Sequence, residues 1–337
     1  MNRAELLKKV RRIEIKSRSI SDHLFSGEYH TAFKGRGMSF SEVREYHPGD
    51  DIKFIDWNVT ARFATPYVKL FEEERELTVM LLVDISRSAF FGTVGQLKNE
   101  LIAEICAVLA FSATHNNDKV GVIFFHQNIE KFIPPQKGRS HVLRIIHELL
   151  EYAYGTPNNP QPPTAATPSA KLPPNKHDIA NTQGKTTTWR EQLQHFFAAP
   201  PPPTAQYTDL NAALQYFGNV IKRRCIAFVL SDFMSNDYEK SLDLAARKHD
   251  IIGIRIYDPH EKNLPNIGLL PVIDAETQAI AWLDTTDDLA AQAYRNAFRQ
   301  QSEKCKNAFA RCGADLLQLS TEQAYIPILT ALFRKRK

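Results

Sequence analysis

From Thr78 onward, short continuous apolar runs alternate with longer amphipathic stretches. Val79-Met80-Leu81-Leu82-Val83 is one such run, and Ile226-Ala227-Phe228-Val229-Leu230 is another. Runs of this length, apolar throughout rather than at every second position, read as strands buried on both faces. The pattern predicts strands near 78–84, 119–125, 129–133, 225–230, 251–257 and 315–319. Between and after them it predicts helices near 97–115, 140–154, 209–221, 238–249, 287–311 and 322–334. A hairpin over 270–284 turns at Asp274-Ala275-Glu276-Thr277. Strand–helix alternation of this kind implies a doubly wound α/β fold with a mostly parallel sheet.

Two regions break the pattern. Residues 1–77 form an N-terminal segment. Leu6, Leu7, Val10 and Ile13 fall at helical spacing in a short basic helix, and a polar, loop-rich stretch with strand-like pieces such as Tyr67–Phe71 follows. Residues 155–207 interrupt the α/β domain of 78–337. They hold 11 of the 19 prolines, including Pro200 to Pro203, and such composition buries too little apolar surface to offset ordering. A flexible insertion is expected there. Within it, Trp189 to Ala198 can form a short amphipathic helix that docks a partner or packs back on the domain.

Charge changes the picture only at the ends. The chain of 337 residues carries a net +4, but residues 1–20 contribute +5 and Arg334 to Lys337 a further +4, which leaves the body at −5. A nucleic-acid binder concentrates positive charge on a folded face. No specific nucleic-acid function is expected. No apolar run approaches the ~18 residues of a transmembrane helix; the best, Leu101 to Ala113, is interrupted by Glu104. The N-terminus lacks the apolar core of a signal peptide, so a cytoplasmic location is expected. Cys106, Cys225, Cys305 and Cys312 show no CxxC pairing and read as core thiols in a reducing compartment.

The candidate chemistry lies at strand ends. In an open α/β sheet, ligands gather outside the carboxyl ends of the strands, near the point where the strand order reverses. Three loops there carry oxygen-bearing side chains: Asp84-Ile85-Ser86-Arg87-Ser88 after the first apolar strand, Thr208 before a helix, and Asp232 after Ile226–Ser231. Taken singly, each has a structural explanation. Asp and Ser end strands by bonding nearby backbone, and Thr caps helices. Together, in this order, they supply one set of hard oxygen donors suited to Mg²⁺, with Mn²⁺ or Ca²⁺ as alternatives. Gly184-Lys185-Thr186 echoes a phosphate loop, but Ile179 stands where its first glycine belongs. Gly35-x-Gly37 lacks the third glycine of a dinucleotide site.

The oxygen set resembles the metal-ion-dependent adhesion site of von Willebrand factor A domains. That resemblance implies an ion surrounded by Asp84, Ser86, Ser88, Thr208 and Asp232. Ser86 and Ser88 would bind directly, and Asp84 and Asp232 partly through water. A second string is more specific: Arg44-Glu45-Tyr46, Gly49-Asp50-Asp51, Ile55-Asp56-Trp57 and Ala61-Arg62, placed just before Tyr67-Val68-Lys69 and Glu72-Glu73-Glu74-Arg75. It resembles the bacterial family called domain of unknown function fifty-eight. Members of that family carry a von Willebrand A-like domain and typically accompany MoxR-type AAA+ ATPases. Ala89 stands where that family often has Met, and the 155–207 insertion is longer than the family pattern implies.

Residues 35–62 read either as a scaffold or as a partner-binding surface. In the scaffold reading Asp50, Asp51 and Asp56 pair with Arg44, Lys53 and Arg62, while Tyr46 and Trp57 anchor the segment on the α/β body. The resemblance implies a non-catalytic adaptor. Its ion would be completed by an acidic residue of a MoxR-type ATPase or of a client. The alternative is a metal-dependent hydrolase using Asp84, with His126 as the nearest candidate base and no Lys evident beside the oxygens.

Overall fold

The computed structural model describes Arg11 and residues 39–72, 77–93, 96–154, 208–273 and 280–336. The basic helix of 1–20 apart from Arg11, the string's Glu73–Arg75, the proline-rich insertion and the hairpin turn 274–277 lie outside the described residues.

Strand β3 (Thr78–Asp84) is the centre of a six-stranded sheet. β4 (Lys119–Phe125) and β5 (Ile129–Gln136) lie on one side of it. β6 (Ile226–Ser231), β7 (Asp250–Tyr257) and β10 (Asp315–Ser320) lie on the other, so the order is β10-β7-β6-β3-β4-β5. All pairings are parallel except β4–β5. The doubly wound, mostly parallel α/β fold expected from the apolar pattern is therefore present. The chain leaves β3 toward one edge and later returns beside it as β6, so the strand order reverses between β3 and β6.

The helices sort by face. Val79, Leu81 and Val83 of β3 point into a core formed with α2 (Lys98–His115), α3 (Arg139–Tyr154) and α8 (Tyr325–Lys335). Met80 and Leu82 point the other way, toward α4 (Leu210–Val220), α5 (Glu239–Lys248) and α7 (Asp288–Cys312). Strand side chains alternate faces, so a strand covered on both sides must be apolar throughout.

Among the elements expected from the sequence, differences fall at the ends. β5 continues through Pro134 and Pro135, which donate no ladder hydrogen bond, because it is an edge strand paired only with β4. α8 starts at Tyr325, which puts Pro327 in the first turn, where no intrahelical donor is needed. β8 (Leu269–Ile273) and β9 (Ile280–Asp284) form the expected antiparallel pair.

The N-terminal segment is more ordered than its polarity suggests. β1 (Ser39–Glu45) pairs antiparallel with β2 (Tyr67–Glu72), and α1 (Trp57–Phe63) lies between them in sequence. Arg44 and Asp50 form a two-pronged ion pair at 2.7 and 2.8 Å, as the scaffold reading expects. Asp56 instead caps α1 through the Asn58 and Val59 N–H groups and pairs with Lys69 rather than Arg62. Asp51 caps the short turn Ile52–Phe54. Trp57 is 67% exposed, so it does not anchor the segment.

Candidate metal centre

Asp84 ends β3 and is only 3% exposed. The strand before it is buried on both faces, so its carboxylate is held where the sheet stops. Its Oδ1 accepts from the Ser86 N–H at 2.9 Å, a local loop that turns the chain away from the strand. Its Oδ2 accepts from the Ser231 hydroxyl at 2.6 Å, across the β3–β6 boundary. Ser86 and Ser88 hydroxyls lie 2.9 Å apart on the same turn.

Asp232 arrives from the end of β6. The turn that presents it puts Phe233 at φ 56°, a left-handed backbone that a bulky residue adopts only when its surroundings impose it. The Phe233 ring is buried against Phe309 and Tyr238, its carbonyl accepts from Gln301, and Arg255 Nε donates to the Asp232 carbonyl at 3.1 Å. Asp84, Ser86, Ser88, Ser231 and Asp232 line one cavity of about 10 Å³, room for a single water or small ion.

Lys98 lines the same cavity, contrary to the expectation that no lysine stands beside the oxygens. It opens α2, is 1% exposed, and its Nζ lies 3.3 Å from Asp232 Oδ2 and 2.6 Å from Glu261 Oε1. A signal for it existed in the sequence. A cation in the first turn of a helix opposes the helix dipole and calls for a local anion. Ser231 and Glu261 are further residues that sequence reasoning missed.

Burial and the neighbouring Asp232 charge push the Asp84 carboxyl up to about 6, against the hydrogen bonds it accepts. Burial also pushes Asp232 up, but the Lys98 ammonium and the Ser88 hydroxyl outweigh it and hold this carboxyl below the usual range. Burial disfavours the Lys98 ammonium, yet Glu261 and Asp232 more than compensate, so Lys98 stays charged.

Thr208 does not line this cavity. With Asp232, Gln127, Asn211 and Met234 it borders an adjoining open groove of about 470 Å³. Asp209, not Thr208, caps α4, through the Ala212 N–H at 2.8 Å. His126 follows β4, and its carbonyl accepts from the Asp209 N–H at 2.8 Å. Its ring is outside the cavity, and burial lowers its proton affinity. The oxygens that do converge, two carboxylates and three hydroxyls, suit a hard divalent cation, and the Lys98 ammonium shares their space.

A further constellation holds the loop after Ser88. Asp258, buried at the end of β7, accepts from the Thr93 N–H at 2.9 Å and the Thr93 hydroxyl at 2.6 Å, and from the Thr321 hydroxyl at 3.1 Å. It also caps α6 (Pro259–Lys262), where Glu261 Oε2 accepts from the Asp258 N–H at 2.9 Å.

The family described as "Protein of unknown function DUF58" matches residues 42–304, most of the chain. The chain belongs to this family. Among curated relatives of this DUF58 protein, "Uncharacterized protein Rv1480" of Mycobacterium tuberculosis is 24% identical over 329 residues, spanning 97% of this chain and 89% of that one. An aerotolerance-related membrane protein from Bacteroides fragilis covers 77% of the chain and 99% of its own, at 12% identity and a TM-score of 0.41. The SpRpn10 VWA domain covers 76% of the chain and 95% of its own, at 10% identity and a TM-score of 0.34. No helix among the described residues is long and apolar enough to cross a membrane.

Proposed function

We propose that this DUF58 protein is a non-catalytic, metal-dependent protein-interaction module. Mg²⁺, or Mn²⁺ or Ca²⁺ in its place, would be held by Asp84, Ser86, Ser88 and Asp232, with Thr208 at the rim. The carrying observation is the convergence of those four side chains on one water-sized cavity, with Asp84 and Ser86 buried, beside an open groove. When bound, the ion would supply a coordination position that an acidic residue of a partner can fill. The partner in this reading is a MoxR-type AAA+ ATPase or a client of it, and the protein acts as its adaptor or co-chaperone.

Lys98 favours a second reading, a metal-dependent hydrolase, because an ammonium beside carboxylates can stabilise transferring charge. Two features weigh against it. Asp84 is nearly sealed from solvent, so a substrate does not reach it as nucleophile or base. Lys98 is held charged, so it is no general base.

Binding of the purified chain to a co-expressed MoxR-type ATPase, in Mg²⁺ and in EDTA, tests the reading. Wild type is expected to bind in Mg²⁺ only, and Asp84→Ala in neither, while its circular dichroism spectrum stays native. Equal binding by both proteins in both buffers would sink the proposal. Metal-stimulated turnover of a phosphoester panel, lost in Asp84→Ala, would favour the hydrolase instead.

A further inference from the structure

A buried lysine inside a candidate cation site is chemically out of place, since it brings positive charge to where a divalent ion would sit. Its surroundings make sense of it. Asp84 is buried and the Asp232 side chain is 9% exposed, their charges repel, and the Lys98 ammonium lies 3.3 Å from Asp232. On its other side is Glu261, at 2.6 Å. Glu261 is a fixed acceptor: its second oxygen is held by the Asp258 N–H, and Asp258 is itself tied to Thr93 and Thr321. The ammonium therefore stands between two carboxylates, one facing the cavity and one set back from it.

We propose that Lys98 is a built-in rival of the divalent ion, neutralising Asp232 when no ion is bound and moving fully onto Glu261 when one enters. The inference deepens the metal-dependent reading and rests on it. Charge supports the exchange. Asp84, Asp232 and Glu261 against Lys98 leave a formal −2, which one divalent cation cancels and a monovalent ion does not. Were Glu261 absent, a bound divalent ion would leave an unbalanced positive charge in a buried place, which is costly. Lys98 and Glu261 would thus set how tightly the cluster holds its ion, with opposite signs.

Calorimetric titration of the chelated full chain with MgCl₂ tests this, using wild type, Lys98→Met, Glu261→Gln and the double variant. Removing a like charge within a few ångströms of the ion is expected to tighten Mg²⁺ binding about tenfold in Lys98→Met. Glu261→Gln, which strands the ammonium on Asp232, is expected to weaken it by about the same factor. The double variant is expected to bind as Lys98→Met does, because Glu261 acts through the lysine. A lysine that merely pins α2 would give the opposite result, with stability and affinity falling together in Lys98→Met. Unchanged or weaker binding by Lys98→Met, with wild type binding normally, overturns the rivalry and leaves the docking reading standing. Should Lys98→Met fail to fold, unchanged affinity in Glu261→Gln overturns it as well. Binding by Lys98→Met but not by wild type would sink the metal-dependent reading of the natural chain and support the rivalry. Binding by no variant sinks both.

Discussion

His249 shows how a residue's surroundings decide its chemistry. It follows α5, lies buried against the Phe217 ring, and its Nδ1 is 3.3 Å from the Cys225 sulfur. Burial, with Lys248 and Arg224 nearby, drops its proton affinity to about 4, while burial pushes the Cys225 thiol up to about 12. The pair is therefore neutral, and Cys225 is no reactive thiolate. An unfolded histidine titrates near ~6.5. Between ~6.5 and about 4 the unfolded chain binds the extra proton, so stability is complete above that window and is lost as pH falls through it. His249→Asn is expected to remove roughly 1–3 kcal/mol of that acid-dependent loss; urea denaturation at pH 7 and pH 4.5 measures it. At this scale the site was half legible. Asp84, Ser86 and Ser88 declare themselves by spacing. Lys98 and Glu261 are 163 residues apart and meet only in the fold.

Elements were legible where burial imposes a pattern and illegible where it does not. The buried strands announce themselves because both faces must be apolar. α1 did not, since seven residues are too few for a helical period to show. Its start is set by the Asp56 cap and its end by Ala64 in the left-handed region, at φ 58°. Packing between elements has its own demands. Gly253 in β7 lies under α7, where an added Cβ would come within 2.5 Å of the Phe309 ring and 2.8 Å of Leu316. Gly253→Ala is expected to cost about 1–3 kcal/mol by overpacking. Denaturant titration measures the loss, and Phe309→Leu in the same chain should recover part of it.

At the scale of the whole molecule, the reversal of strand order between β3 and β6 brings Asp84 and Asp232 together. The N-terminal unit offers a different kind of surface. Ile52, Trp57 and Phe63 are all well over half exposed, while the Arg44–Asp50 pair and the Asp56 cap hold the unit internally. An exposed ring contributes little to folding, so Trp57→Ser is expected to shift unfolding by less than about 0.5 kcal/mol. Thermal denaturation checks this. A loss several times larger would return Trp57 to the scaffold role, whereas unchanged stability with weakened binding of the proposed partner would assign the unit to recognition.

By itself, the sequence determined the α/β class, nearly every strand and helix of 78–336, and the oxygen donors at two strand ends. Apolar continuity and local hydrogen bonding are short-range properties, written in consecutive residues. Only the tertiary structure decided that Ser231 holds Asp84, that Thr208 borders a groove rather than the cavity, and that a lysine shares the carboxylates. Those facts depend on which loops the sheet order brings side by side. Electrostatics in a buried space is set by distance through the fold, not by position along the chain.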